Sequence, residues 1–155
     1  MKILIVEDNE YKRDKVTSFL QENFDELIID EAYSYASGLE KALSNENDFI
    51  ILDMSLPSFD KKDTENGGRF RAYGGKEIAR KMKRKNISTP FVVLTQYTSF
   101  SDDAGECTID TIEEEIRAQN NETFCGVIYY SGSESYWKSM LKDKVVANVQ
   151  NINCR

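Results

Sequence analysis

A short apolar run that ends in a single carboxylate constrains the fold of this chain more than any other feature. Residues 49–52 read Phe-Ile-Ile-Leu and are followed directly by Asp53. Polar residues flank the run on both sides, which is typical of a strand buried on both faces of a sheet. Asp53 is therefore predicted to emerge from the carboxyl end of a core strand, and ligands of open parallel sheets bind at that edge.

A second predicted strand also ends in acidic residues. Residues 2–6 read Lys-Ile-Leu-Ile-Val and run directly into Glu7 and Asp8. If the two strands are neighbours, their ends bring Glu7, Asp8 and Asp53 together, and each negative charge raises the pKa of the others unless a cation joins them. Mg²⁺ prefers oxygen ligands and keeps open positions for water or phosphate. The sequence therefore predicts a magnesium site at this edge.

The first helix is predicted to follow the acidic pair directly. Asn9 can cap a helix that continues to about residue 24. Four apolar residues at helical spacing are expected to face the core: Val16, Phe19, Leu20 and Phe24. The remaining side chains of this helix, including Lys12, Arg13 and Glu22, are expected to face water.

The rest of the chain continues the alternation of strands and helices. Strands are predicted at residues 27–29, 49–53, 91–95 and 125–130, after the first at 2–6. Between them, helices are predicted to start at Ser34 or Ser37, near residue 76, near residue 109, and at Ser133 or Ser135. This alternation favours an α/β fold with a parallel sheet and right-handed crossovers.

The domain organisation is predicted to be simple. A chain of 155 residues suits one domain with its own core. We expect a single domain over residues 1–150, with extended loops near residues 58–75 and 96–107, and a tail at residues 151–155. No repeat and no linker to a second domain is recognisable.

Composition excludes several classes of function. A net charge of −7 argues against nucleic-acid binding, which usually requires a basic surplus. The sequence contains no histidine, so catalytic triads with histidine, histidine metal sites and a phosphohistidine are excluded. Three cysteines without metal-like spacing indicate reduced thiols, and no apolar run approaches the roughly 20 residues that cross a membrane. A cytoplasmic location is expected.

Three segments together resemble the receiver domain of bacterial two-component response regulators. They are Ile3-Leu4-Ile5-Val6-Glu7-Asp8-Asn9, Ile50-Ile51-Leu52-Asp53-Met54-Ser55-Leu56-Pro57 and Phe91-Val92-Val93-Leu94-Thr95. The resemblance implies a flavodoxin-like, doubly wound parallel five-stranded sheet with strand order 2-1-3-4-5 and helices on both faces. It covers most of the chain and is strongest over residues 1–57.

The resemblance also implies a role for each site residue. Asp53 would be the phosphoacceptor, a nucleophile that forms an aspartyl phosphate. Asp8 and Asp53 would bind Mg²⁺ directly, with Glu7 acting through water and Ser55 contributing its backbone carbonyl. The Thr95 hydroxyl would contact the phosphoryl group. The plainer interpretations remain open: Asp53 caps a turn, the acidic pair caps a helix, and Thr95 merely ends a strand.

The sequence departs from the family at the end of the last strand. Receivers carry a lysine there, whereas this chain reads Tyr129-Tyr130-Ser131, and no lysine follows before Lys138. Gln96 is also larger than the residue that receivers place after the threonine. Both differences affect the phosphate site, and they predict weaker phosphoryl stabilisation or a different switch.

The glycine-rich segment at residues 67–75 offers one substitute for the missing charge. It lacks the Gly-Lys-Ser/Thr ending of a phosphate-binding loop, so nucleotide binding is not expected. Arginine binds phosphate oxygens well, and Arg69 or Arg71 could supply the missing positive charge from a flap beside Asp53. This is a hypothesis that the positions of these side chains can test.

The leading functional prediction is a phosphoacceptor response regulator that signals through protein–protein contacts or passes phosphate along a phosphorelay. A partner histidine kinase or phosphotransfer protein would phosphorylate Asp53 with Mg²⁺, and a downstream protein would read the result. No enzymatic activity is expected beyond the chain's own phosphoryl transfer and dephosphorylation. The alternative is a degenerate pseudo-receiver that binds partners without phosphorylation. A magnesium-dependent phosphatase is less consistent, because Ser55 replaces the second acidic residue of such enzymes.

Overall fold

The chain forms five long strands and five helices, with two additional short strand pairs, over the residues that the computed structural model describes, 1–61 and 66–149. The elements in chain order are β1 (Lys2–Val6), α1 (Glu10–Asn23), β2 (Ile28–Ala32), α2 (Tyr35–Leu43), β3 (Phe49–Leu52), β4 (Leu56–Pro57), β5 (Phe70–Arg71), α3 (Gly74–Arg84), β6 (Phe91–Thr95), β7 (Ser99–Asp102), β8 (Gly105–Thr108), α4 (Ile109–Gln119), β9 (Phe124–Tyr129) and α5 (Tyr136–Asn148).

The five long strands form one parallel sheet in the order β2-β1-β3-β6-β9. Numbered among themselves, these strands have the order 2-1-3-4-5, so the predicted flavodoxin-like topology is confirmed. The register pairs Val6 with Leu52 and Leu52 with Val93. The carboxyl ends of the three central strands therefore lie side by side, which sets the place of the predicted site.

Apolar side chains fill both faces of the sheet. Successive residues of a strand point to opposite faces, so Leu4 and Val6 belong to one buried cluster while Ile3 and Ile5 belong to the other. The first cluster includes residues of α2, α3 and α4, and the second includes residues of α1 and α5. Helices therefore cover both faces, as predicted.

The predicted start of the first helix is confirmed, but two of the side chains predicted to face water do not. The Asn9 side chain accepts a hydrogen bond from the Lys12 backbone N–H at 3.0 Å and caps α1. Val16, Phe19 and Leu20 are buried as expected. Lys12 is also buried, with only 2% of its surface exposed, and the side chain of Arg13 is only 11% exposed, so the predicted exposure of both residues was wrong. The cause lies in the acidic edge of the sheet, described below.

Short strands form within both segments that were predicted as extended loops. β4 pairs with β5 in an antiparallel arrangement, and β7 forms an antiparallel hairpin with β8. Pairs of two to four residues with mixed polarity have no periodicity long enough to show in the sequence. The proposed tail at residues 151–155 lies outside the described residues. Within the described ranges, no helix is long and apolar enough to cross a membrane.

Gly75 of α3 packs tightly against the backbone that follows β3. Its backbone N–H donates to the Met54 carbonyl at 2.8 Å. A Cβ atom at this position would lie 2.3 Å from the Asp53 carbonyl oxygen and 3.1 Å from the Met54 Cα. Because these neighbours are backbone atoms of a buried segment, they have little room to move.

Gly75→Ala is expected to destabilise the protein by about 1–3 kcal/mol, because the added methyl group forces α3 away from the residues after β3. The free energy of unfolding from urea titration measures this change. Gly132→Ala is the matched control, because its Cβ would have its nearest contact at 3.9 Å, from Tyr11. Equal stability of the two variants would show that α3 can shift without cost.

Candidate functional site

The structure gathers the three predicted carboxylates at the edge of the sheet. One oxygen from each of Glu7, Asp8 and Asp53 can be chosen so that all three lie within 4.8 Å of one another. Glu7 and Asp53 are buried, whereas Asp8 is exposed. The group therefore has an inner pair of carboxylates and an outer one that is open to solvent.

Backbone hydrogen bonds hold these residues where the strands end. The Glu7 N–H donates to the Ala32 carbonyl and the Asp53 N–H donates to the Val6 carbonyl, both at 2.9 Å. These bonds continue the pattern of the parallel sheet past the ends of β1 and β3. The carboxylates are therefore positioned by the rigid sheet rather than by a mobile loop.

Lys12 extends from α1 into the middle of this group. Its Nζ donates a hydrogen bond to the Leu94 carbonyl at 2.7 Å and another to Glu7 Oε2 at 3.2 Å. The same Nζ lies 3.4 Å from Asp53 Oδ1, which also accepts a hydrogen bond from the Met54 N–H at 2.8 Å. The ammonium group thus forms ion pairs with both buried carboxylates.

Arg13, the next residue of α1, holds the backbone of the acidic segment. Its Nη1 donates to the Glu7 carbonyl at 2.9 Å and to the Asp8 carbonyl at 3.4 Å. Its guanidinium lies 4.1 Å from the centre of the Tyr33 ring and its Nε lies 3.6 Å from Glu31 Oε2. Because β2 supplies Glu31, Arg13 ties the acidic segment to the edge strand.

Loss of hydration and neighbouring charges raise the pKa values of Glu7 and Asp8. Burial raises the pKa of Glu7 well above its ordinary value, more than the neighbouring Lys12 lowers it, and the Asp53 charge raises it further. Partial loss of hydration, although Asp8 stays open to solvent on one side, also raises the pKa of Asp8, and the negative charge of Asp53 is the next cause. Glu7 and Asp8 therefore bind protons more readily than isolated carboxyls do.

These donors fit Mg²⁺, which binds carboxylate oxygens and keeps several waters. Repulsion among the three carboxylates is relieved when a divalent cation binds them. Ser55, the other proposed ligand residue, is also buried, and its hydroxyl donates to the Ala72 carbonyl at 2.9 Å. This contact fixes the segment two residues beyond Asp53, while the coordinating role of the Ser55 carbonyl stays a prediction.

Thr95 lies at the carboxyl end of β6 and is buried. Its hydroxyl accepts a hydrogen bond from the Tyr97 N–H at 3.2 Å, and its carbonyl accepts one from the Tyr130 N–H at 2.7 Å. The hydroxyl is therefore hydrogen-bonded to the segment that leads into the β7–β8 hairpin. If Thr95 were to contact a phosphoryl group, this hydrogen bond would connect that group to the hairpin.

The end of β9 carries aromatic and hydroxyl groups where receivers carry a lysine. Tyr129 is exposed, whereas Tyr130 is buried with its ring centre 5.1 Å from that of Trp137. Ser131 has its hydroxyl 3.1 Å from that of Ser133. Lys138 Nζ lies over the rings of Phe19 of α1 and Trp137 of α5. Its ammonium group therefore contacts these two helices.

The arginines of the glycine-rich segment do not supply the missing charge in this structure. Arg71 Nη1 lies 3.0 Å from Glu77 Oε2, and its guanidinium lies 4.1 Å from the centre of the Tyr35 ring. Arg69 Nη2 lies 3.6 Å from Asp103 Oδ2 at the protein surface. The hypothesis that either arginine serves Asp53 finds no contact to support it, and Lys12 already contacts that carboxylate.

Sequence reasoning missed Lys12, although a signal was present. Lys12 precedes Val16 by four residues and Phe19 by seven, so it lies on the same face of α1 as the apolar residues. A charged residue on a buried face requires a partner. The acidic ends of β1 and β3 were the available partners, and this pairing could have been inferred once the strand order was assumed.

Comparison with known families identifies this arrangement. A family model described as the response regulator receiver domain matches residues 3–117, more than half of the chain. The chain belongs to the response regulator receiver family. Solved receivers share its fold: the chemotaxis protein CheY4 of Vibrio cholerae has a TM-score of 0.60 at 17% identity, covering 96% of this chain and 98% of that one.

Curated relatives support the same family. The Detocs response regulatory protein DtcB of Enterobacter cloacae is 29% identical over 147 residues, which cover 94% of this receiver and 98% of DtcB. The response regulator ArlR of Staphylococcus saprophyticus is 38% identical over 95 residues, which cover 61% of this chain but only 35% of ArlR. A receiver from Thermotoga maritima, TrrA, has been solved in complex with Mg²⁺-BeF and has a TM-score of 0.57, at 20% identity, over 92% of this chain and 97% of its own.

Mg²⁺ binding to this receiver is expected to tighten as pH rises from about 6 toward about 9, because burial raises the pKa of Glu7 to about 9 and the pKa of Asp8 is also raised, so the ion competes with protons. Isothermal titration calorimetry in buffers of different ionisation enthalpy measures both the affinity and the protons released.

Glu7→Gln should bind Mg²⁺ with less dependence on pH, whereas Glu22→Gln, an exposed change on α1, should match the wild type. A Mg²⁺ affinity that stays constant across this range, with no proton release, would contradict the expectation.

Proposed function

We propose that this receiver accepts a phosphoryl group on Asp53 from a partner histidine kinase or phosphotransfer protein, with Mg²⁺, and signals through contacts with a downstream protein. The observation that carries the proposal is the gathering of Glu7, Asp8 and Asp53 within 4.8 Å at the carboxyl edge of the sheet. An aspartate nucleophile beside two further carboxylates is the arrangement that metal-assisted phosphoryl transfer to a carboxylate requires.

Each residue has a defined part in the proposed reaction. An Asp53 carboxylate oxygen attacks the phosphorus atom, the bond from phosphorus to the donor breaks, and the donor departs with that electron pair. Asp8 and Asp53, together with the Ser55 carbonyl, would hold Mg²⁺, and Glu7 would contact it through water. When bound, the ion neutralises charge on the phosphoryl oxygens.

Thr95 provides the proposed connection between phosphorylation and the surface. If its hydroxyl turns to donate to a phosphoryl oxygen, the present hydrogen bond from the Tyr97 N–H must change. Tyr97 is half-exposed, and its ring packs edge-on against Phe100 of the β7–β8 hairpin, with centres 6.4 Å apart. A change at Thr95 therefore reaches the surface formed by residues 95–117, which we propose as the face that binds the partner.

The relatives support a role in signalling by the receiver as a whole. Similarity to DtcB, which is named a response regulatory protein, extends over 98% of that protein and includes the part of this chain beyond the family match. We propose protein contacts as the means of signalling. The net charge of −7 is consistent with that interpretation.

A second candidate function is a pseudo-receiver that binds partners without phosphorylation. The observation that favours it is the sequence Tyr130-Ser131 at the end of β9, where receivers have a lysine. The buried Asp53 carboxylate, already paired with a cation, is compatible with either function. Phosphorylation itself therefore has to decide between them.

Incubation with Mg²⁺ and acetyl phosphate is expected to add the mass of a single phosphoryl group, as intact-protein mass spectrometry measures. The adduct should require Mg²⁺ and should be lost in Asp53→Ala, because no other carboxylate occupies the nucleophile's position. Asp14→Ala, an exposed change on α1, is the matched control and should retain the adduct.

Wild-type protein that gains no mass from acetyl phosphate or from a panel of histidine kinases would favour the pseudo-receiver. An adduct that persists in Asp53→Ala would place the phosphoacceptor elsewhere in the chain.

A further inference from the structure

The geometry points to Lys12 of α1 as the cation that contacts the phosphoryl group in this receiver, in place of the lysine that the end of β9 lacks. This inference rests on the proposed phosphorylation of Asp53. It assigns a binding role to a residue of the first helix, outside the strand ends that carry the other site residues. Three sets of observations support it: the contacts of Lys12, its burial, and the side chains at the end of β9.

The contacts of Lys12 place its ammonium group beside the nucleophile. An ammonium group has three donors. Nζ lies 2.7 Å from the Leu94 carbonyl, 3.2 Å from Glu7 Oε2 and 3.4 Å from Asp53 Oδ1. The contact with Leu94 anchors the side chain to the end of β6, directly before Thr95. Nζ also donates to Glu7 and forms an ion pair with Asp53, the carboxylate that would carry the phosphoryl group.

Burial makes this positive charge effective. The side chain of Lys12 is 3% exposed, and those of Glu7 and Asp53 are 5% and 8% exposed. The internal cavity that Lys12, Glu7 and Asp53 help to line has a volume of only about 10 Å³, so little water can shield the ammonium group from that side. A charge shielded from water interacts more strongly with a developing anion than an exposed one.

The end of β9 explains why the cation comes from α1. Tyr130 fills the space after β9, and the centre of its ring lies 5.6 Å from Lys12 Nζ. The same ring packs against Trp137 of α5, with ring centres 5.1 Å apart. A lysine that entered from β9 would place a second ammonium beside Lys12, at a cost in electrostatic repulsion.

The charges of the pocket also require such a cation. Glu7 and Asp53 are buried carboxylates, and Lys12 forms ion pairs with both. A bound phosphoryl group adds negative charge on its oxygens. A fixed positive charge therefore stabilises the pocket more strongly after Asp53 is phosphorylated than before. A small shift of Nζ from Glu7 toward the phosphoryl oxygens would pair the ammonium group with this new charge, while Nζ keeps its hydrogen bond to the Leu94 carbonyl.

Lys12→Met tests this assignment, because it keeps the length of the stem and removes the charge. Beryllofluoride, a mimic of the phosphoryl group, is titrated into the Mg²⁺-saturated protein, and Mg²⁺ is titrated alone in a separate experiment. We expect Lys12→Met to weaken beryllofluoride binding and to slow phosphorylation by acetyl phosphate, each by at least about tenfold. We expect the affinity for Mg²⁺ alone to rise, because a neighbouring positive charge is lost.

These opposite changes separate a role in phosphate binding from a structural role. A variant with a distorted site would lose affinity for both Mg²⁺ and beryllofluoride. If Lys12→Met does not fold, Lys12→Gln takes its place, because its amide can still donate to the Leu94 carbonyl without carrying charge. Lys15→Met, an exposed change on the same helix, is the control and should leave both affinities unchanged.

Relocating the charge provides a further test. Ser131→Lys combined with Lys12→Met returns a lysine to the end of β9, and it should restore at least part of the beryllofluoride affinity and the phosphorylation rate. The assignment is overturned if Lys12→Met or Lys12→Gln keeps both quantities within about twofold of the wild type, or loses Mg²⁺ affinity in parallel with them. If wild-type protein neither binds beryllofluoride nor becomes phosphorylated, the proposed function itself fails.

Discussion

The ion pairs between Lys12 and the two buried carboxylates are the interaction on which the functional edge of this receiver depends. Glu7 and Asp53 both lie at the ends of core strands with almost no exposed surface. Two buried carboxylates so close together repel each other and lose their hydration. Lys12 compensates for both effects at once, and its Nζ donates to the Leu94 carbonyl at 2.7 Å. Loss of this cation would leave buried charges without a partner.

The position of Lys12 follows from the way α1 begins. Asn9 caps the helix immediately after the acidic pair, so Lys12 lies in the first turn. Side chains of a helix lean toward its N-terminus, and here that direction leads back to the strand ends. Arg13 uses the same geometry to bind the carbonyls of Glu7 and Asp8. Two consecutive basic residues therefore contact different parts of the acidic segment. Lys12 contacts the Glu7 side chain, and Arg13 contacts the backbone carbonyls.

Much of the fold could be predicted because the core strands are apolar throughout and end abruptly in acidic residues. Strict alternation with helices then leaves few topologies for a parallel sheet, and the grouping of Glu7, Asp8 and Asp53 follows from the order 2-1-3-4-5. The β4–β5 and β7–β8 pairs were missed because strands of two to four mixed residues leave no periodic signal. The partners of Arg69 and Arg71 were also unpredictable, since they depend on how the intervening segments pack.

The sequence by itself determined the sheet, its two buried faces and the carboxylates at its edge. The apolar pattern of each segment sets which residues form strands, and the alternation of strands and helices along the chain limits how those strands can be arranged. Only the tertiary structure decided where the positive charge of the site comes from. The Lys12 side chain meets a carbonyl 82 residues away in sequence, and whether a lysine on an apolar helix face faces water or the core depends on the partners that folding brings to it. Burial of a charge is a property of the assembled pocket, so the helical pattern alone could not reveal it.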